Sequence, residues 1–189
     1  MSINEYIEGS IKVKTNLLID SNFQQIIRKL ISYSVSCIKN NGKIIFAGNG
    51  GSFSDSLHIS GEFSSRFLLD RTSLPSIVLG SNIAYLTATA NDFSYDDIFA
   101  RELSSIGNSQ DVLIAFSTSG KSQNIHKLLN QSKIMNLESF CLTGKNDNLD
   151  NLSSNIIKVP SNFTPYIQES HIMIGHIICK EIEIELSKQ

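Results

Sequence analysis

From Ser21 to Asn40 apolar side chains return at helical spacing (Phe23, Ile26, Ile27, Leu30, Ile31, Val35, Ile38), and Asn41-Gly42 supplies a stop. This predicts an amphipathic helix. A shorter helical pattern precedes it, with Ile7, Ile11, Val13, Leu17 and Leu18, and it has no strand to pack against, so docking on another subunit is one expectation for it. After Gly42 the pattern changes to short apolar runs, each closed by small or polar residues and followed by helical spacing: Lys43–Ala47, Ser76–Leu79, Val112–Phe116, Ser139–Leu142 and Ile156–Val159. Runs of that length alternating with helices predict an α/β fold: a five-stranded parallel sheet with helices on both faces and residues 1–40 as an N-terminal helical arm. From Pro165 to Leu186 isoleucines recur around much of the helical circumference, which predicts a long last helix buried between subunits.

The 189 residues fit one domain with a sizeable core, and with three prolines and no repeat there is no sign of an interdomain linker. Sixteen Lys+Arg against eighteen Asp+Glu give a net charge of −2, without the basic surplus that phosphate-backbone binding needs, so nucleic acid is not an expected partner. At 41% hydrophobic and 18% charged, the composition favours partial coverage by partner subunits, hence a homo-oligomer. Cys37, Cys141 and Cys179 are odd in number, widely spaced and set among apolar residues, which predicts buried thiols in a reducing compartment. Residues 1–14 lack the basic start and apolar run of a signal peptide and nothing approaches a membrane span, so the expected location is the cytoplasm, with no membrane partner.

Ligands of open parallel sheets bind beyond the carboxyl ends of the strands, and two loops there carry chemistry. The first apolar run ends in Gly48-Asn49-Gly50-Gly51-Ser52 before a helix expected from about Phe53. Glycines let backbone N–H groups approach an anion, and a helix N-terminus adds positive potential. A dinucleotide site fits poorly, because Phe53 stands where its third glycine is needed and Asp70 closes a helix instead of a strand. The third run ends in Ser117-Thr118-Ser119-Gly120-Lys121-Ser122, again before a helix. Either loop alone reads as an ordinary capped turn; two of them at neighbouring strand ends predict that a phosphate monoester is held by neutral hydrogen bonds. His58 and Glu62 stand four apart on one helical face, able to reach one divalent ion.

Ala47–Ser52 and Asp111–Ser122 together resemble the sugar isomerase (SIS) domain family, and within it the phosphoheptose isomerases. The resemblance extends to His58, Glu62, Ser65-Arg66-Phe67, Asn91-Asp92, Phe99-Ala100-Arg101, Leu142-Thr143-Gly144 and the stretch from Gln168-Glu169-Ser170-His171 to His176. It implies a single SIS domain over residues 1–189 and a cytoplasmic homotetramer with shared active sites. The implied activity interconverts sedoheptulose 7-phosphate and glycero-manno-heptose 7-phosphate for bacterial surface glycans. By resemblance Ser52, Ser117, Thr118, Ser119 and Ser122 hold the phosphate; Asn49, Gly50, Gly51, Asn91, Asp92, Glu62 and Gln168 complete the substrate contacts. Glu62 matches the family's catalytic glutamate and His176 its catalytic histidine, a base and an acid for proton transfer through an enediol. Burial beside a sugar is expected to raise the proton affinity of Glu62.

Some members of that family carry Zn2+ on residues matching His58, Glu62, Gln168 and His176. Gln168 and His176 lie about 12 Å apart along a regular helix. Both reach one ion only if the helix starts irregularly near Pro165 or if different subunits contribute; by helix geometry His171 is the better neighbour of Gln168. The chain departs from the family pattern at Asn82, commonly acidic, at Tyr166, commonly arginine, at Leu57 beside His58 and at Phe53-Ser54. Asp55 and Arg66 either face the sugar or bind nearby backbone. Two other functions use the same loops: a non-catalytic adaptor like the replication-initiator-associating branch of the family, and a phosphosugar sensor. The presence of both Glu62 and His176 favours the enzyme.

Overall fold

The computed structural model describes residues 1–146, 149, 151–153 and 155–188. Two helices come first, α1 (Ile3–Ile19) and α2 (Ser21–Lys39), joined at Asp20, whose side chain accepts a hydrogen bond from the Phe23 N–H and so caps α2. The chain then alternates: β1 (Ile44–Gly48), α3 (Gly51–Ser64), β2 (Ser76–Val78), α4 (Ile83–Asp92), a 3-10 turn (Tyr95–Asp97), α5 (Ile98–Ile106), β3 (Val112–Ser117), α6 (Gln123–Ile134), β4 (Glu138–Thr143), β5 (Ile156–Lys158) and α7 (Thr164–Ser187). The strands lie within a residue or two of their expected bounds. No described residue between β4 and β5 is helical, so that alternation lapses once, and Asp70 lies in the loop after α3 instead of closing a helix.

All five strands are parallel, in the order β2-β1-β3-β4-β5. Strand periodicity splits the core in two. Ile44, Phe46, Ile114, Phe116, Phe140 and Leu142 pack under α2, α3 and α7, while Ile45, Ala47, Leu113, Ala115 and Cys141 pack under α5 and α6. The three cysteines are buried thiols, none of them in a disulfide, as expected. Between β1→β2 and β1→β3 the winding reverses direction, so a crevice opens beyond Gly48 and Ser117, where the two glycine- and serine-rich turns begin.

The N-terminal arm finds a seat within its own chain, where α1 packs on α7. Val13 and Leu17 are buried, the Lys14 ammonium meets Glu169 at 2.9 Å, and Tyr6, Phe163 and Tyr166 form an edge-to-face aromatic trio. The Tyr166 hydroxyl donates to the Tyr6 carbonyl at 3.0 Å, so this departure from the family pattern ties the arm to the body. Asn82, the other, caps α4 by accepting from the Tyr85 N–H. α7 buries Ile167, Ile174, Ile178 and Ile182 against its own chain and leaves Ile177 partly exposed. No helix among the described residues is long and apolar enough to cross a membrane.

His171, on α7, is fully buried against the Phe116 ring, and neither ring nitrogen has a hydrogen-bond partner. Burial pushes its pKa down from 6.5 to about 4, against a smaller upward pull from the Thr143 backbone. Because the folded value is depressed, the unfolded chain takes up this proton first. The stability His171 contributes is therefore complete above pH 6.5 and is lost as pH falls toward 4. His171→Phe, which keeps the shape and the contact with the Phe116 ring, is expected to flatten this part of the pH–stability curve by up to about 3 kcal/mol. Urea unfolding at pH 7, 5.5 and 4.5 measures it; parallel curves for the two proteins would show that His171 is not the titrating group.

Candidate active site

α3 and α7 run parallel and side by side over the sheet. Gly175 makes that possible, since a Cβ there would stand 2.5 Å from Ile59 Cδ1. The residues flanking this contact are the ones with chemistry. His58 Nε2 lies 3.3 Å from Glu62 Oε1 and 3.1 Å from His176 Nε2, and one ligand atom from each of the three residues falls within 4.8 Å of the others. Two imidazoles and a carboxylate at this spacing suit a proton-transfer pair or a divalent cation of zinc type. Half the His58 side chain is exposed, and Glu62 is about a quarter exposed, so the cluster opens on the surface of the chain.

His176 is held on its other side. The Phe67 ring stacks on the imidazole, centroids 5.3 Å apart and 11° from parallel. Phe67 stays there because the loop after α3 is fastened to α7. Buried Glu183 accepts from the backbone N–H groups of Phe67, Leu68 and Leu69 and pairs with Arg71 Nε at 2.7 Å. These contacts hold the Glu183 carboxyl below its usual range although burial works against them. Sequence reading missed this support, for nothing separates Glu183 from Glu181 or Glu185 except the turn of the helix it faces.

The two turns lie beyond β1 and β3. The first places Gly50 at φ +55, which glycine adopts readily, and α3 starts at once, two residues earlier than expected. Neither α3 nor α6 has a side-chain cap, whereas Ser2, Asp20 and Asn82 cap α1, α2 and α4. Two uncapped N-termini flanked by Ser52, Thr118, Ser119 and Ser122 line a crevice whose chemistry suits an anion. Ser52 and Ser117 are buried, and the Ser117 hydroxyl has no partner. Asn49 spends its side chain inside the protein, in a reciprocal amide pair with Asn124.

Gln168 packs against Gly51, at the first turn of α3. Because α7 is regular from Thr164 onward, Gln168 stands about two turns from His176 and outside its cluster. His171 is sealed in the core, so it does not take that place. Asp55 sits between the first turn and His58; its Oδ2 is buried without a partner, and burial pushes its carboxyl up to about 6 against the pull of His58. Arg66 is exposed. Asn91 and Asp92 are joined by a 2.9 Å hydrogen bond at the exposed end of α4, short of Tyr95, which reaches Asn49. The hollow beside the turns, of about 140 Å³, is lined by Gly48, Gly50, Phe53, Leu86, Tyr95 and Phe99; a larger one of about 460 Å³, between Asp20 and β5, is remote from every acid–base cluster.

Comparison with known proteins agrees with this geometry. The model of the SIS domain family matches residues 6–144. A phosphoheptose isomerase from Aneurinibacillus thermoaerophilus is 43% identical over 182 residues, 96% of this chain and 92% of that protein. Phosphoheptose isomerase 2 of Campylobacter jejuni is 44% identical over 190 residues, covering 98% and 94%. A solved phosphoheptose isomerase structure from Francisella tularensis superposes with a TM-score of 0.89 at 32% identity, covering 95% of each chain.

The α3–α7 contact is testable on its own. Gly175→Ala forces the helices apart at Ile59 and is expected to cost about 1–3 kcal/mol, with Ile59→Ala in the same chain returning part of that loss by making room. Chemical unfolding of the two single variants and the double variant measures the coupling; strictly additive losses would mean that Gly175 is not the point of contact.

Proposed function

The chain belongs to the SIS domain family and, within it, to the phosphoheptose isomerases, and on that premise we propose that it interconverts D-sedoheptulose 7-phosphate and D-glycero-D-manno-heptose 7-phosphate in heptose biosynthesis. The observation that carries this reading is the meeting of His58, Glu62 and His176 between two helices, one of which starts in the anion crevice. The crevice takes the phosphate on Ser52, Ser117, Thr118, Ser119 and Ser122 and on the uncapped N-termini. The sugar then meets Gly50, Gly51, Asn91, Asp92 and Gln168.

Isomerisation moves one proton between neighbouring carbons. The Glu62 carboxylate takes the proton from C1 of the ketose, and the electron pair left behind forms the C1–C2 double bond of the enediol as the C2 carbonyl oxygen gains a proton from His176. Glu62 returns its proton to C2 while His176 recovers one from the C1 hydroxyl, giving the aldose with no net change in the enzyme. The donor set of His58, Glu62 and His176 also fits Zn2+, which when bound would polarise the substrate oxygens as a Lewis acid.

A cytoplasmic homotetramer with shared sites is part of the proposal. Ser52 and Glu62 of one chain are about 15 Å apart along α3, longer than an extended seven-carbon phosphate, and Gln168 stands about 12 Å from His176 along α7. Groups supplied by a second copy would shorten both spans. The exposed stripe Ile3, Ile7, Ile11 and Leu18 on α1 is surface that such copies would cover.

Incubation with sedoheptulose 7-phosphate, followed by chromatographic detection of the aldose phosphate, tests the activity; no product from the wild-type protein refutes it. Glu62→Gln is expected to lower turnover about a thousand-fold or more and to keep substrate affinity within a few-fold. For the ion, His58→Ala should weaken Zn2+ binding by about ten-fold or more in a chelator competition with metal-stripped protein. Equal affinity in the variant would place the ion elsewhere.

A further inference from the structure

We propose that Asn124 and Tyr95 are positioning residues that clamp the two anion turns to one another through Asn49, an inference that rests on the phosphate reading above. Asn49 Nδ2 donates to Asn124 Oδ1 at 2.9 Å, Asn124 Nδ2 donates to Asn49 Oδ1 at 2.9 Å, and the Tyr95 hydroxyl donates to the same Asn49 oxygen at 2.9 Å. The reciprocity fixes the two amides relative to one another, because turning one over alone would set donor against donor and acceptor against acceptor. Asn124 is 1% exposed, so its bonds form away from water.

The arrangement commits Asn49 to the protein. Both acceptor sites of its oxygen and one of its two N–H groups are used, leaving one donor for any ligand. What it does with the other three is mechanical. Asn49 is the first residue beyond β1, and Asn124 is the second residue of α6. The β1–β3 ladder ends at the Gly48–Phe116 register, so beyond it the two turns are free to splay. The amide pair bridges that gap and keeps the starts of α3 and α6 directed at one anion. Tyr95 adds a third segment, since it follows Asn91 and Asp92 closely and opens the 3-10 turn that Lys127 of α6 also grips through Asp97 at 2.6 Å. The phosphate turns and the segment carrying candidate sugar contacts are thereby held in one frame.

Such a clamp acts on phosphate binding in ground and transition states alike, so its loss should fall on KM more than on kcat. Asn124→Leu removes both amide bonds while filling the space. It is expected to raise KM for sedoheptulose 7-phosphate and the Kd for inorganic phosphate, read by calorimetry, about ten-fold. Tyr95→Phe deletes one hydroxyl from an exposed ring, cannot prevent folding, and is expected to raise both about three-fold. In an Asn49→Ala, Asn124→Ala cycle, the double variant should lose little more affinity than either single one. Wild-type KM and phosphate affinity in both Asn124→Leu and Tyr95→Phe overturn the clamp, and so does a fall in melting temperature alone, which is what a merely structural role predicts. If the wild-type protein binds phosphate but makes no heptose product, the isomerase reading fails while the phosphate measurements still decide the clamp.

Discussion

The close approach of α3 and α7 at Gly175 is the contact on which the proposed chemistry depends. A side chain at that position would push the helices apart, and the 3.1 Å approach of His176 to His58 depends on none being there, while Glu62 stands 3.3 Å from His58 because both lie on α3. Packing energy in the core thus sets the geometry of polar groups that open toward solvent. The same pair of helices is fastened at each end, by Gln168 against Gly51 and by Glu183 against the loop that carries Phe67. With helices fixed at three points, His176 has few ways to turn, and the stacked Phe67 ring removes most of the remainder.

The other half of the proposed site follows from topology. Parallel strands deliver their carboxyl ends to one edge, and the reversal of winding at β1 opens a crevice between neighbouring turns. A dianionic phosphate is usually met by arginine, but here the donors are hydroxyls, backbone and helix ends. Such a crevice holds its ligand by placement more than by charge, so it depends on the relative position of the two turns, which is where an amide pair between Asn49 and Asn124 has its effect.

Much of this was legible in the sequence. Alternating apolar runs gave five parallel strands in place, and the Gly48–Ser52 and Ser117–Ser122 turns stand where strand-end chemistry was expected. His58 and Glu62 share a face because they are four apart, which any helix guarantees. Pairing between distant segments was not legible. Nothing local distinguishes Glu183, which faces Arg71 and three N–H groups, from its exposed neighbours. Asn49 and Asn124 lie 75 positions apart, and a strand-end Asn reads as a ligand before it reads as a brace. The seat of α1 was not legible for the same reason: its stripe showed that it must pack, and only the tertiary structure shows that Tyr166 and Glu169 of α7 receive it. For the fourth metal ligand, resemblance supplied Gln168, and one regular helix keeps it two turns from His176, which leaves the contribution of different subunits as the way both would reach one ion.

Unsatisfied polar atoms are not spread evenly through the molecule. At the amino ends of the strands buried Asp111 is fully used, accepting from the Lys43 and Asn108 backbones and pairing with the Lys43 ammonium at 2.6 Å. Around the carboxyl ends and the helices beside them, the Ser117 and Thr143 hydroxyls, one Asp55 oxygen and both His171 nitrogens are buried without partners. Apart from Ser34 in α2, these are all the buried side-chain nitrogen and oxygen atoms found without a partner among the described residues. Each costs stability that an apolar side chain of similar shape would not, roughly 1–3 kcal/mol by mutational measure. A fold selected for stability alone would remove such groups wherever they stood. His171 and Thr143 are sealed in the core and are a cost to stability alone, whereas Ser117 and Asp55 stand beside the two turns, where an unpartnered oxygen suits something the protein would bind.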